Sequence, residues 1–281
     1  MKHAIDPKVD CVFKALLGAE ENRNLLLHFL NTFLADELVE PLVSVHIDNP
    51  YNEKESLSDK LSVVDVKAKD DHDRLYQIEV QLNNFNYLPS RIVYTWADIY
   101  RQQLKSGKDY SELKPTYAIW LLAENVIADN DQYVNHYKLR NEQGQVLSQH
   151  GGIWLLELKK FHTNIIENDE QRWLKFFQDG EQLNDEALPG WMSTQEMKQA
   201  MNTLSAFSEK EHQYNQYQAR QDFLRIQRTV QMELEQAAQA LLKERQEKEA
   251  ALQREALALQ EKDAALAEIE SLKALLNQQS H

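Results

Sequence analysis

Cysteine is almost absent from this 281-residue chain: Cys11 stands alone, so no internal disulfide can form. No Cys/His spacing suggests structural zinc either, which makes a reducing, cytoplasmic setting the expectation. Long apolar runs are also missing. The longest, Tyr117 to Ala123, is far short of the ~20 residues of a membrane-spanning helix. The N-terminal MKHAIDPKVD has no apolar signal stretch, so a soluble protein without a membrane partner is expected. No P-loop, GxGxxG, GxSxG or HExxH motif occurs, which leaves the chemistries those motifs carry without support. Positive charge is scarce, with 31 Lys and Arg against 45 Asp and Glu and a net charge of −14. That balance argues against a nucleic-acid ligand, whose affinity comes largely from cations neutralising phosphate. A local basic segment, Arg91, Arg101, Lys105, Lys108 and Lys114, is the exception, and reads either as a binding face or as a solvated helix face.

Breakers and aromatics are unevenly spread. Pro189 and Gly190 are the last of their kinds, and the Trp, Phe and Tyr residues lie before residue 224, so the core belongs to the first three quarters. The remainder, from Trp191 to His281, is rich in Ala, Glu, Gln, Leu and Lys and reads as long helix. Leu252, Leu259 and Leu266 recur every seven residues, with Val230, Leu234 and Leu241 before them and Ile269 and Leu276 after. This imperfect seam predicts either a coiled coil that makes a homo-oligomer or a single solvated helix held by pairs such as Glu244 with Lys248.

Periodicity divides the first part. Phe13, Leu16, Leu17, Leu26, Phe29, Leu30, Phe33 and Leu34 sit at helical spacing over Asp6 to Leu34, with Gly18 splitting two helices. Strands are predicted at Leu42–Ile47, Leu61–Lys69, Leu75–Leu82, Thr116–Ala123, Tyr133–Leu139 and Ile153–Leu158, with Asp70 to Asp73 and Asn141 to Gly144 as turns. A helix is predicted from Leu88 to Lys105, stopping at Gly107, and residues 167–190 read as helix and then loop. The Thr116 strand, nearly all apolar, is expected mid-sheet.

The segment Ser62 to Gln81 carries the chemistry. Residues two apart on a strand share a face, so Glu79 and Gln81 point together while Ile78, Val80 and Leu82 point to the core. A hairpin turning at His72 pairs residues whose numbers sum to 144, which puts Asp65 opposite Glu79. Opposed β-carbons are roughly 4.5–5.5 Å apart, so two carboxylates there repel unless a cation lies between them. The spacing fits a hard oxygen site for Mg²⁺ or Mn²⁺, with Asp65, Glu79 and the Val80 carbonyl as ligands; it equally fits a solvated outer hairpin face.

Asp65 followed by Glu79-Val80-Gln81 resembles the D…(E/D)-x-K signature of the PD-(D/E)XK nucleases, with Gln in the Lys slot. Asp10-Cys11-Val12-Phe13-Lys14, Arg91-Ile92-Val93-Tyr94 with Tyr100, Gln103 and Leu104, Gly107-Lys108-Asp109-Tyr110 with Leu113 and Pro115, and Leu156 to Phe161 resemble, in that order, the recombination-promoting nuclease and putative transposase branch. The similarity spans about residues 6–165. It implies a restriction-endonuclease-like α/β fold, a mixed sheet flanked by helices, and metal-dependent DNA endonuclease activity in recombination or mobile-element processes. By position it assigns Asp65 and Glu79 as metal ligands, Gln81 to the Lys slot and Asp10 as an auxiliary acid. Lys14, one turn on, supplies the missing positive charge or is a surface lysine; Arg91 and Tyr94 contact phosphate or pack the hairpin. Arg91, Arg101 and Lys105 are the expected DNA contacts. The expected division is a nuclease core over 1–165, a helical extension over 166–207 and a coiled-coil helix over 208–281. The competing reading is a catalytically inactive nuclease-fold scaffold that oligomerises through its helical tail.

Overall fold

The computed structural model describes residues 3–48 and 65–278. Helix α1 (Asp10–Leu17) buries Val12, Phe13, Leu16 and Leu17, the i, i+1, i+4, i+5 stripe of an amphipathic helix, and carries Asp10 in its first turn. It ends at Gly18, where a Cβ would lie 2.9 Å from the Lys14 carbonyl oxygen and 3.2 Å from Val66 Cγ2. Glycine therefore lets the end of the helix press directly on the neighbouring strand. A 3-10 turn over Glu20–Asn22 leads into α2 (Arg23–Phe33), as the split at Gly18 predicts.

Strand β1 (His46–Asp48) is shorter than the alternation from Leu42 suggests. The reason lies at Leu42, whose N–H and carbonyl are both bonded by the Asn31 side chain, at 2.7 and 2.9 Å. A side chain thus satisfies the backbone that a sheet partner would otherwise take. Strands β2 (Val66–Lys69) and β3 (Leu75–Gln81) form an antiparallel hairpin with Val66 opposite Ile78 and Lys69 opposite Leu75. Both pairs sum to 144, the register inferred from the sequence. The expected strand residues 61–64 lie outside the described residues. At the turn, Asp70 does more than loop chemistry: it is buried and accepts from His72 N, Arg74 N, Arg74 Nε and the Tyr76 hydroxyl. Asp73 takes φ 58°, a left-handed conformation that aspartate tolerates better than most residues.

Helix α3 (Leu88–Arg101) stops one turn before Lys105. It crosses to β4 (Thr116–Leu122), which pairs parallel with β3 and is buried at all seven positions. Strands β5 (Val134–Tyr137) and β6 (Gly151–Glu157) complete a six-stranded mixed sheet of order β1-β2-β3-β4-β6-β5, with β4 in its interior. On one face, Leu88 and Ile92 of α3 pack on Ala118, Trp120, Leu122, Ile153 and Leu155. On the other, Tyr76 stacks on Tyr117, and Tyr117 meets Trp154 at a tilt of 46°.

Helices α4 (Asp169–Asp179) and α5 (Gln195–Glu209) close the body by packing on α1 and α2. Trp173 and Phe177 meet Phe29 and Phe13 at ring-centroid separations of 5.4 to 6.3 Å. Each such aromatic contributes a large apolar area, and edge-on contacts add about 0.5–1.5 kcal/mol per pair. The long helix expected after Trp191 is broken at Lys210, where ψ is 111°, before α6 (Glu211–Gln278) begins. No Gly or Pro marks the break. Burial of Met197, Ala200, Met201, Leu204 and Phe207 fixes the path of α5 and overrides local propensity.

Contacts group residues 1–221 as one compact unit and 222–281 as a second. The stretch 166–207 therefore sits in the same unit as the sheet. Within the second unit, Leu252, Leu259 and Leu266 are 57, 59 and 51 % exposed, so the heptad seam is uncovered in the single chain. Among the described residues, no helix is long and apolar enough to cross a membrane.

Candidate active site

The parallel pairing of β3 with β4 sets Glu79 beside Trp120 and Gln81 beside Leu122, on the face covered by α3. Glu79 is consequently buried, at 3 % exposure, and not on a solvated hairpin face. Val80, on the opposite face, is only half-buried, the reverse of the simple alternation. Both faces of β3 are covered, so period 2 still sorts the side chains but no longer separates wet from dry.

Asp65 immediately precedes β2, whose pairing with β3 runs from Val66 opposite Ile78, and its charge acts on Glu79. Its Oδ2 accepts the Val80 N–H at 3.0 Å, taking the place of a strand partner at the end of the hairpin. On the other side of β3, the Gln81 carbonyl accepts from Ala123 N at 2.9 Å. Because backbone groups alternate along a strand, the Val80 peptide groups are directed toward Asp65. Asp65 thus lies beside Val80 at the end of β3, close enough to the Glu79 carboxyl for its charge to act on it.

Charge is concentrated here. Lys14 Nζ lies 3.4 Å from Asp65 Oδ1, a reach made possible by the tight seat of α1 at Gly18. Arg91 Nη1 donates to Gln81 Oε1 at 3.0 Å, and its guanidinium lies 5.5 Å from the Trp120 ring centroid. Gln81 Nε2 donates to the Asn83 carbonyl at 2.8 Å, and Gln77 Nε2 to Glu79 Oε1 at 3.1 Å. Burial, reinforced by the charge of Asp65, pushes the Glu79 carboxyl up to about 8, against the opposing pull of Arg91, the Gln77 bond and Lys14. Burial likewise raises Asp65, with Asp10 adding to the rise and the Val80 N–H and Lys14 opposing it.

Do these residues fit a divalent cation? Among the described residues, no group of three or more His, Cys, Asp or Glu side chains could hold one. The donor set is smaller and harder: two carboxylates, both costly to ionise as they stand, beside a backbone carbonyl. Mg²⁺ characteristically takes one or two carboxylates and keeps several waters, so the set suits it. One buried polar atom points the same way. Gln77 Oε1, an acceptor two residues from Glu79 on the same face of β3, has no protein partner, and a buried oxygen left so is ordinarily satisfied by water or a cation; Trp120 Nε1, also without a protein partner, is a donor and calls for an acceptor instead.

The structure therefore gathers Asp65, Glu79, Val80, Gln81, Lys14 and Arg91, with Asp10 near enough to act electrostatically on Asp65. It does not bring Arg101 and Lys105 to the same place. Arg101 is ten residues along α3 from Arg91, or about 15 Å at the helical rise, and donates to Asp98 at 3.2 Å. Lys105 is exposed beyond the end of α3, and Lys108 of the same basic segment pairs with Glu112 at 3.0 Å. A separate polar cleft of about 530 Å³ opens in the loops that follow β3, β4 and β6, lined among others by Asn84, Asn125, Asn130, Lys159, Lys160 and His162. It begins three residues after Gln81. Sequence reasoning missed this cleft, because nothing local relates the three loops, and missed Gln77, which its i−2 spacing from Glu79 could have placed on the same face.

The sequence matches the family described as PD-(D/E)XK nuclease family transposase over residues 7–237. No curated protein and no solved structure matches it.

Proposed function

Because the chain belongs to the PD-(D/E)XK nuclease family transposases, we propose that it is a divalent-metal-dependent DNA endonuclease serving recombination or mobile-element processes. The observation that supports this reading is the bond from Val80 N–H to the Asp65 carboxylate at the end of the hairpin, next to the buried Glu79. Asp65, Glu79 and the Val80 carbonyl would hold Mg²⁺, or Mn²⁺ in its place, and the bound ion would supply Lewis acidity toward a phosphate and lower the pKa of a water.

The remaining chemistry falls to the chain's own side chains. Gln81 brings no charge, and both ends of its amide are engaged, by Asn83 and Arg91. Lys14 and Arg91 therefore provide the positive charge that a lysine in that slot would bring to a phosphate gaining negative charge. Asp10 acts as an auxiliary acid. The cleft beyond Gln81, with its amides, Lys159 and His162, gives the DNA backbone a path away from the site, while Lys160 is held internally by Glu157 and the Ile127 carbonyl. The exposed seam of the second unit joins copies of the chain.

The test is Mg²⁺- or Mn²⁺-dependent nicking of supercoiled plasmid by the wild type and by Asp65→Ala and Glu79→Ala. Both variants should be inactive with unchanged circular dichroism. One observation favours the competing scaffold reading, namely the engaged amide of Gln81 where the signature has lysine. Absence of cleavage by the wild type on several DNA forms would establish that reading instead.

A further inference from the structure

Asp10 has a partner from the other end of the first unit. Arg220, in the early turns of α6, donates from Nε to Asp10 Oδ1 at 2.8 Å. Those turns are tied to the N-terminal segment at two more points: the Tyr217 hydroxyl accepts the Asp6 N–H at 3.1 Å, and Tyr214 stacks on His3 with ring centroids 4.0 Å apart. Asp10 in turn raises the Asp65 carboxyl through its charge. Three acids, Asp10, Asp65 and Glu79, are thus interleaved with three cations, Lys14, Arg91 and Arg220.

We propose that Arg220 is a positioning residue for the cation site: it holds Asp10 beside the Asp65–Glu79 pair and not in it, and so limits how tightly that pair binds a divalent ion. This rests on the reading of Asp65 and Glu79 as a cation site. The physical argument is a competition for one carboxylate. An arginine–carboxylate bond is charge-assisted and directional, and it gives Asp10 a fixed partner. Without Arg220, the Asp10 charge is uncompensated at a site already short of positive charge at Gln81. A divalent ion would then be attracted by a third carboxylate, and the site would bind its ion more tightly while holding Asp10 in a different place. The helix that begins at Glu211 is in this way part of the site's electrostatics, although none of its residues is a ligand.

The experiment measures Mn²⁺ binding to the full chain without DNA, by calorimetry and by electron paramagnetic resonance of free Mn²⁺. Arg220→Ala should bind Mn²⁺ about tenfold more tightly, the scale of one partly screened unit charge. Arg220→Lys should restore wild-type affinity, and Asp10→Asn with Arg220→Ala should abolish the gain. A purely structural role would weaken binding, so tightening separates an electrostatic role for Arg220 from a structural one. If Arg220→Ala does not fold, Asp10→Asn alone reads the same coupling: it leaves the Arg220 charge uncompensated and should weaken binding several-fold. Unchanged or weaker binding by a folded Arg220→Ala, or unchanged binding by Asp10→Asn, would overturn the proposal. The two readings fail differently. Wild-type binding that Asp65→Asn abolishes but Arg220 does not influence removes only the positioning role. Absence of Mn²⁺ binding by the wild type removes the cation site and this inference together.

Discussion

The Asp65 carboxylate accepts the backbone N–H of Val80 at 3.0 Å, one residue beyond the buried Glu79. That bond makes the acid a structural part of the hairpin end as well as a candidate ligand. It also separates two substitutions that would otherwise look alike. Asp65→Asn keeps an oxygen for Val80 and should retain the fold, whereas Asp65→Ala leaves a half-buried donor unpaired, at about 1–3 kcal/mol. Denaturant titration should show Asp65→Ala as the less stable of the two, while plasmid nicking should be lost in both.

Removal of the glutamate charge predicts a loss of activity with a gain in stability. Glu79→Gln should reduce Mg²⁺-dependent nicking by more than the ~10- to 100-fold typical of changes outside the ligand shell. In the same variant the metal-free protein should melt higher than the wild type at pH 8.5. Equal melting temperatures would show that Glu79 carries no burial penalty.

The pH dependence of that effect follows from linkage. Glu79 in the folded chain is pushed up to about 8, above the ordinary 4.5, so between these values the folded state holds a proton that the unfolded chain has released. Stability from this group is complete below about pH 4.5 and is lost as pH rises through 8. With EDTA present, the wild-type midpoint should fall relative to Glu79→Gln across pH 5 to 9. Parallel curves for the two proteins would contradict the assignment.

Arg91 touches Gln81, lies over Trp120 and lowers the Glu79 carboxyl. Lysine cannot reproduce the planar stacking together with the directed bond. Arg91→Lys should therefore retain little more nicking activity than Arg91→Ala, in a dose–response against Mg²⁺. Full activity of the lysine variant would reduce Arg91 to a simple point charge.

The cleft beyond Gln81 makes a binding prediction independent of cleavage. Lys159→Ala with His162→Ala, measured in Ca²⁺ by fluorescence anisotropy, should weaken duplex binding and lower the salt slope, by about 0.9 for each phosphate contact removed. Lys159 also pairs with Glu124, so a Glu124→Gln control reports whether loss of that pair alone has any effect.

Chains truncated after Arg228 keep Tyr217 and Arg220 on the N-terminal segment and remove the seam. Light scattering should give a folded particle with fewer subunits than the full chain. The same subunit number in both would assign assembly to the first unit.

What the sequence made legible was the part governed by local period. Alternation and one turn at His72 were enough to give the hairpin register, Val66 opposite Ile78 and Lys69 opposite Leu75, because a hairpin's register follows from its turn. The interior position of β4 followed from its unbroken apolar run. The burial of Glu79 did not follow, since it depends on α3 and β4 arriving over the hairpin from elsewhere in the chain. The shortened β1 and the break at Lys210 were hidden for a related reason: an asparagine side chain captures one backbone, and core packing redirects another. Arg220 was beyond reach altogether, because no periodicity links it to Asp10 across 210 positions.

The hairpin and the parallel strand beside it also differ in when they can form during synthesis. Strands β2 and β3 pair through a short antiparallel turn, a local contact that closes quickly. Their dry surroundings need α3 and then β4, a crossover that the ribosome completes some forty residues later. The local pairing thus precedes, in chain order, the crossover strand beside which Glu79 is buried, and the raised proton affinity of that acid depends on the later of the two.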